Sequence, residues 1–79
     1  MTFADWLGQQ MERNSIRSGR RLSLETGLDE QAILDWAIGR RVPHVHEVDV
    51  LASFFRVPIA DVMPIRDQSE LALPSRSRR

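Results

Sequence analysis

Apolar side chains recur along this chain at helical spacing in five stretches, separated by polar or glycine- and proline-bearing segments. Phe3, Trp6, Leu7 and Met11 repeat at the intervals of one helix face, while Asp5, Gln9, Gln10, Glu12 and Arg13 fall elsewhere around the wheel. Thr2 suits the N-cap of this first helix and Asp5 the reciprocal position three residues on, so the helix is predicted to start at Phe3 and end near Asn14. A second, weaker segment covers residues 19–26, with Ser18 as its cap, Leu22 as its core residue and Gly19 in its first turn. Gly27 fits the left-handed position that closes a helix, and Asp29 can cap the next one. The third helix is predicted over residues 30–38. Ile33, Trp36 and Ala37 form its core face, and Glu30, Gln31, Leu34 and Asp35 are directed away from it. Gly39 stops it, and Pro43 keeps the helix from resuming there.

Val48, Leu51, Ala52 and Phe55 make the i, i+3, i+4, i+7 stripe of a fourth helix over residues 45–55, started by His44. Pro58 suits the opening of a short fifth helix over residues 59–63, which Pro64 is expected to end. Beyond Ile65 the periodicity dissolves. The chain therefore divides into an all-α domain over residues 1–65, a compact bundle of five short helices, and a C-terminal tail over residues 66–79 expected to be flexible.

Length and composition narrow the picture. A chain of 79 residues buries only about 60% of the surface its unfolded form exposes, so the core is small and helix packing must hold it. With no cysteine there is neither a disulfide framework nor a thiolate metal cage. No apolar run approaches the roughly 20 residues that a membrane span needs, and the acidic Asp5 stands where a signal peptide would be basic, so a cytoplasmic, nucleoid-associated location is expected. His44 and His46 lie two residues apart, on different sides of a helix, and make a poor metal pair. Ser, His and Asp occur without a local arrangement that would activate a nucleophile. The expectation is a protein that is not an enzyme, with no metal and no cofactor.

Eleven arginines and no lysine balance eleven acidic residues, so any affinity for nucleic acid must come from where the charges sit. Arg13, Arg17, Arg20, Arg21, Arg40 and Arg41 all cluster around residues 22–43.

Five short helices with Thr26-Gly27-Leu28 at a turn, Trp36 followed by Gly39, Pro43 after the loop, and Phe55-Arg56-Val57-Pro58-Ile59 near the end are similar in order and spacing to the lambda-repressor-like, Cro-type helix-turn-helix family. The resemblance covers roughly residues 2–63. It implies a transcriptional regulator of bacterial or phage origin that binds double-stranded operator DNA as a homodimer on an inverted repeat, with the helix over residues 30–38 in the major groove. Carried over by position, Glu30, Gln31, Leu34 and Asp35 would face the bases. Arg17, Gly19, Arg20, Arg40 and Arg41 would contact phosphates. Elementary chemistry agrees in part, since glutamine pairs bidentately with adenine, leucine meets a thymine methyl and glutamate accepts from cytosine N4.

The dimer surface is expected on the fifth helix and the residue after it, at Ile59, Val62, Met63 and Ile65, whose apolar side chains need a partner or a fold-back. Asp29, Glu30 and Asp35 leave the third helix acidic, with no basic residue. That motivates an alternative: a protein-interaction module of the same fold, whose acidic third helix binds a basic protein partner.

Overall fold

The computed structural model describes residues 1–73, and every regular element among them is an α-helix: α1 (Phe3–Arg13), α2 (Gly19–Thr26), α3 (Glu30–Ala37), α4 (Val45–Phe55) and α5 (Ile59–Ala72). The caps follow from the sequence. Asp5 N–H donates to Thr2 Oγ1 at 3.1 Å and Thr2 N–H to Asp5 Oδ2 at 3.2 Å, so two donors with no partner inside α1 are satisfied reciprocally. Ser18 Oγ accepts from Arg21 N–H at 3.1 Å, and Asp29 Oδ2 accepts from Ala32 N–H at 2.9 Å. At α4 the backbone N–H of His44 donates to Glu47 Oε1 at 2.8 Å. Gly27 closes α2 at φ +79°, a conformation that costs a side chain about 1 kcal/mol or more.

One core joins all five helices: Phe3, Trp6 and Leu7 of α1, Leu22 of α2, Ala32, Ile33 and Trp36 of α3, Val48, Leu51, Ala52 and Phe55 of α4, and Val62 of α5. α3 packs against α1 and α2, and α4 packs against α5 and α2. α5 returns to α1 and closes the bundle. The ring of Trp6 lies 5.3 Å from Phe3 and meets Phe55 edge-on at 5.9 Å, an aromatic chain that links α1 to α4. The radius of gyration, 12.1 Å, is close to the roughly 12 Å of a compact chain of this length. No helix among the described residues is long and apolar enough to cross a membrane.

Four expectations are corrected. α5 does not stop at Pro64 but runs to Ala72, so the folded unit extends past residue 65. Pro64 removes one backbone donor, yet tertiary contacts hold the helix beyond it. Arg66 Nε donates to the carbonyl of Pro43 at 2.9 Å, and its Nη1 and Nη2 bond to the Glu70 carboxylate at 2.7 and 3.2 Å. One turn further on, Ser69 Oγ accepts from Phe3 N–H at 2.7 Å and so caps the first turn of α1 from the other end of the chain. The expected flexibility of the tail over residues 74–79 lies outside the described residues.

Second, Val62 is not available to a partner. It is fully buried in its own core, with Met63 and Ile65 half-buried against it, and Ile59 is the exposed member of the expected dimer set. Third, Ala37 is exposed, because Ala32 rather than Ala37 completes the buried stripe with Ile33 and Trp36. Fourth, Asp35 points inward, with consequences for the surface of α3.

Candidate nucleic-acid interface

α2 and α3 are joined by residues 27–29 alone, and the hydroxyls of α2 tie this turn down. Leu28 N–H donates to Thr26 Oγ1 at 3.2 Å, and Ser23 Oγ donates to the carbonyl of Leu28 at 2.6 Å. Both backbone polar groups of Leu28 are thereby met by α2, while its side chain packs half-buried against the core. The sequence places Thr26 in the turn but gives neither its hydroxyl nor that of Ser23 a bonding partner. The signal was there in two hydroxyls on the last turns of a helix that precede a glycine closure, residues that readily bond to nearby backbone.

α3 meets α2 at Gly19. A Cβ built there would stand 3.0 Å from Leu34 Cδ2, the far end of an exposed side chain, and 3.4 Å from Ile33 Cγ2, so the start of α2 packs closely on α3. Arg20 follows Gly19 in the first turn of α2 and Arg17 lies just before that helix; both are exposed. Beyond the other end of α3, Arg40 and Arg41 are exposed as well.

The exposed face of α3 consists of Glu30, Gln31, Leu34 and Ala37, continued by Ile38 at the helix cap. It is acidic at its start and apolar toward its end, with Leu34 41% and Ile38 68% exposed. Of the four residues expected to face bases, Glu30, Gln31 and Leu34 share this surface.

Asp35 does not. It is 8% exposed, the one buried acidic residue among those described, and its carboxylate is engaged from two directions. Arg41 Nε lies 3.0 Å from Oδ2, and Gln31 Nε2 donates to Oδ1 at 3.3 Å. Arg40 Nη1 stands further off, 3.9 Å from Oδ1. The Asp35 carbonyl also accepts from Arg40 N–H at 2.8 Å and Arg41 N–H at 3.4 Å. Its burial is tolerable because the charge is paired and hydrogen-bonded. The left-handed turn at Gly39, φ +79°, folds the chain back so that the two arginines after α3 reach it. Asp35 is therefore an internal anchor for the loop, and it takes one negative charge off the exposed surface.

The histidine pair is stacked, with ring centroids 6.1 Å apart and planes 7° from parallel, and no group of three or more metal-ligating side chains occurs among the described residues. Searches against models of known protein families, curated proteins and solved structures gave no match to the chain.

Proposed function

We propose that this protein is a sequence-specific DNA-binding transcriptional regulator of the helix-turn-helix kind, acting as a homodimer on an inverted repeat with α3 in the major groove. One observation carries the reading. Exposed arginines flank α3 in the chain: Arg17 and Arg20 lie on either side of Gly19, which touches Leu34, and Arg40 and Arg41 follow the helix. A short helix with hydrogen-bonding side chains on its face and arginines on both flanks suits a groove walled by phosphates. The inward turn of Asp35 supports the reading further, since it leaves Glu30 and the exposed N-cap Asp29 as the acids of α3 that meet solvent. Glu30 is compatible with a cytosine N4 donor.

In a dimer, two copies of α3 would project about 34 Å apart, one turn of the double helix. The test is fluorescence anisotropy with a mixture of genomic duplexes at two salt concentrations. Binding that weakens steeply with salt is expected, with a slope of about −0.9 per phosphate contact. No binding at low salt would overturn the reading.

A second reading rests on Leu34 and Ile38, apolar and exposed on a helix that carries no cation of its own. That surface suits a protein partner. It is favoured if DNA binding is absent and Ile38→Glu abolishes association with a protein retained on the immobilised chain.

A further inference from the structure

Gln31 and Asp35 stand one helical turn apart, and the bond from Gln31 Nε2 to Asp35 Oδ1 at 3.3 Å uses one of the two hydrogens on the Gln31 amide. An ionised carboxylate only accepts, so this contact also fixes which way round the amide sits, with the NH₂ toward Asp35 and Oε1 turned from it. Asp35 is itself immobilised by burial and by Arg41, whereas Gln31 is exposed on the outer face of α3.

We propose that Asp35 is a positioning residue that makes Gln31 select adenine over guanine; this rests on the DNA-binding reading given above. The two purines differ on their major-groove edges. Guanine presents two acceptors, N7 and O6, while adenine presents the N7 acceptor beside the N6 donor. A glutamine amide with both hydrogens available can turn both toward guanine. The hydrogen held by Asp35 is, on this proposal, the one remote from Oε1, which leaves a single hydrogen next to the Oε1 acceptor. That donor–acceptor pair matches adenine and leaves one guanine acceptor facing an oxygen. The discrimination thus comes from a buried residue that never touches DNA.

The experiment begins with selection of bound duplexes from a random pool, using the wild-type chain and Gln31→Ala. The position at which Gln31→Ala relaxes the preference is the base that Gln31 reads, and at that position the wild type is expected to favour adenine over guanine by about tenfold. In Asp35→Ala this ratio should fall to about twofold or less, with other positions unchanged, and the double variant should lose no more than either single one.

A ratio that survives Asp35→Ala would overturn the proposal while leaving DNA binding in place, whatever even change in affinity follows from freeing the loop that carries Arg40 and Arg41. Absence of wild-type DNA binding would overturn both. A measurement that does not depend on the variant folding is the side-chain amide spectrum of Gln31 in the free wild-type chain. One of the two protons displaced downfield of its own solvent-averaged position supports the anchor, and both protons at their solvent-averaged positions overturn it.

Discussion

Asp35 and Arg41 meet twice: Arg41 Nε lies 3.0 Å from the Asp35 carboxylate, and the Arg41 backbone N–H donates to the Asp35 carbonyl at 3.4 Å. The pair pins the loop after α3 to the last turn of that helix. Its two members differ in exposure, Asp35 being buried and Arg41 open to solvent, so the consequences of removing either are unequal.

Arg41→Ala leaves a buried carboxylate short of its main partner and is expected to destabilise the fold by about 1–2 kcal/mol. Arg40→Ala breaks only a long contact at 3.9 Å and should stay within about 0.5 kcal/mol of wild type. Urea unfolding of both variants measures the difference; equal midpoints would show that the Arg41 contact contributes nothing.

Two glycines should respond to alanine with opposite signs. Gly8 lies within α1, where an added Cβ meets nothing, so Gly8→Ala should stabilise by about 0.5–1 kcal/mol and raise Tm by about 4 °C. Gly27 also has open space around it, but its φ of +79° strains any side chain, and Gly27→Ala should cost about 1 kcal/mol. Thermal melts followed by circular dichroism decide this. A gain at Gly27 would mean that the turn relaxes without penalty.

Arg66 is the third anchor. Its side chain is 12% exposed; burial works against its charge, but the hydrogen bonds and charges of Asp67 and Glu70 outweigh burial and hold its pKa above the ordinary value. Arg66→Ala should cost about 2 kcal/mol, because the Pro43 carbonyl loses its donor and Glu70 its bidentate partner. Lysine should restore less than half of this, since an ammonium cannot match the fork. Hydrogen exchange should show residues 66–72 opening ahead of α4 in both variants. Protection equal to wild type would remove Arg66 from this role.

On DNA, Arg20→Ala and Arg40→Ala should each lower the magnitude of the salt slope by about 0.9 and weaken all sequences alike. Gln31→Ala should instead change which sequences are preferred. Titration of the selected duplex and an unrelated one at three salt concentrations separates the two behaviours. A uniform effect from all three variants would dissolve the division between phosphate and base contacts.

The bounds of α2 and α4, the caps at Thr2, Ser18 and Asp29, and the closure at Gly27 were legible because each depends on residues within one or two turns. Pro64 misled for the complementary reason. The local rule against proline inside a helix is overridden by contacts with distant partners, Pro43 for Arg66 and Phe3 for Ser69, and no periodicity records them. Val62 shows a further limit: apolar spacing on a short helix says that one face must be covered, but not whether the chain covers it itself. Helical spacing with Ile33, Trp36 and Ala37 as the core face puts Asp35 on the outward side. Its partner arrives only after the Gly39 turn reverses the chain, which the spacing of Asp35 and Arg41 hints at without specifying. Gln31, Leu34 and Glu30 were legible as a shared surface and the arginines around it as a cluster in the chain, while the close packing of Gly19 on Leu34 became visible only in the fold.

The hydrogen bond between Phe3 and Ser69 brings the start of α1 against the last turns of α5, and Thr2, Ile38, Arg41 and Leu73 line one cavity of about 340 Å³ at that place. The amino terminus and the end of α5 thus share a pole of the molecule with the far end of α3. An affinity tag or fluorophore joined through either neighbourhood would crowd the surface a binding assay interrogates. Asp49 and Ser53, exposed on α4, are not among the residues that line that cavity and offer positions for a probe.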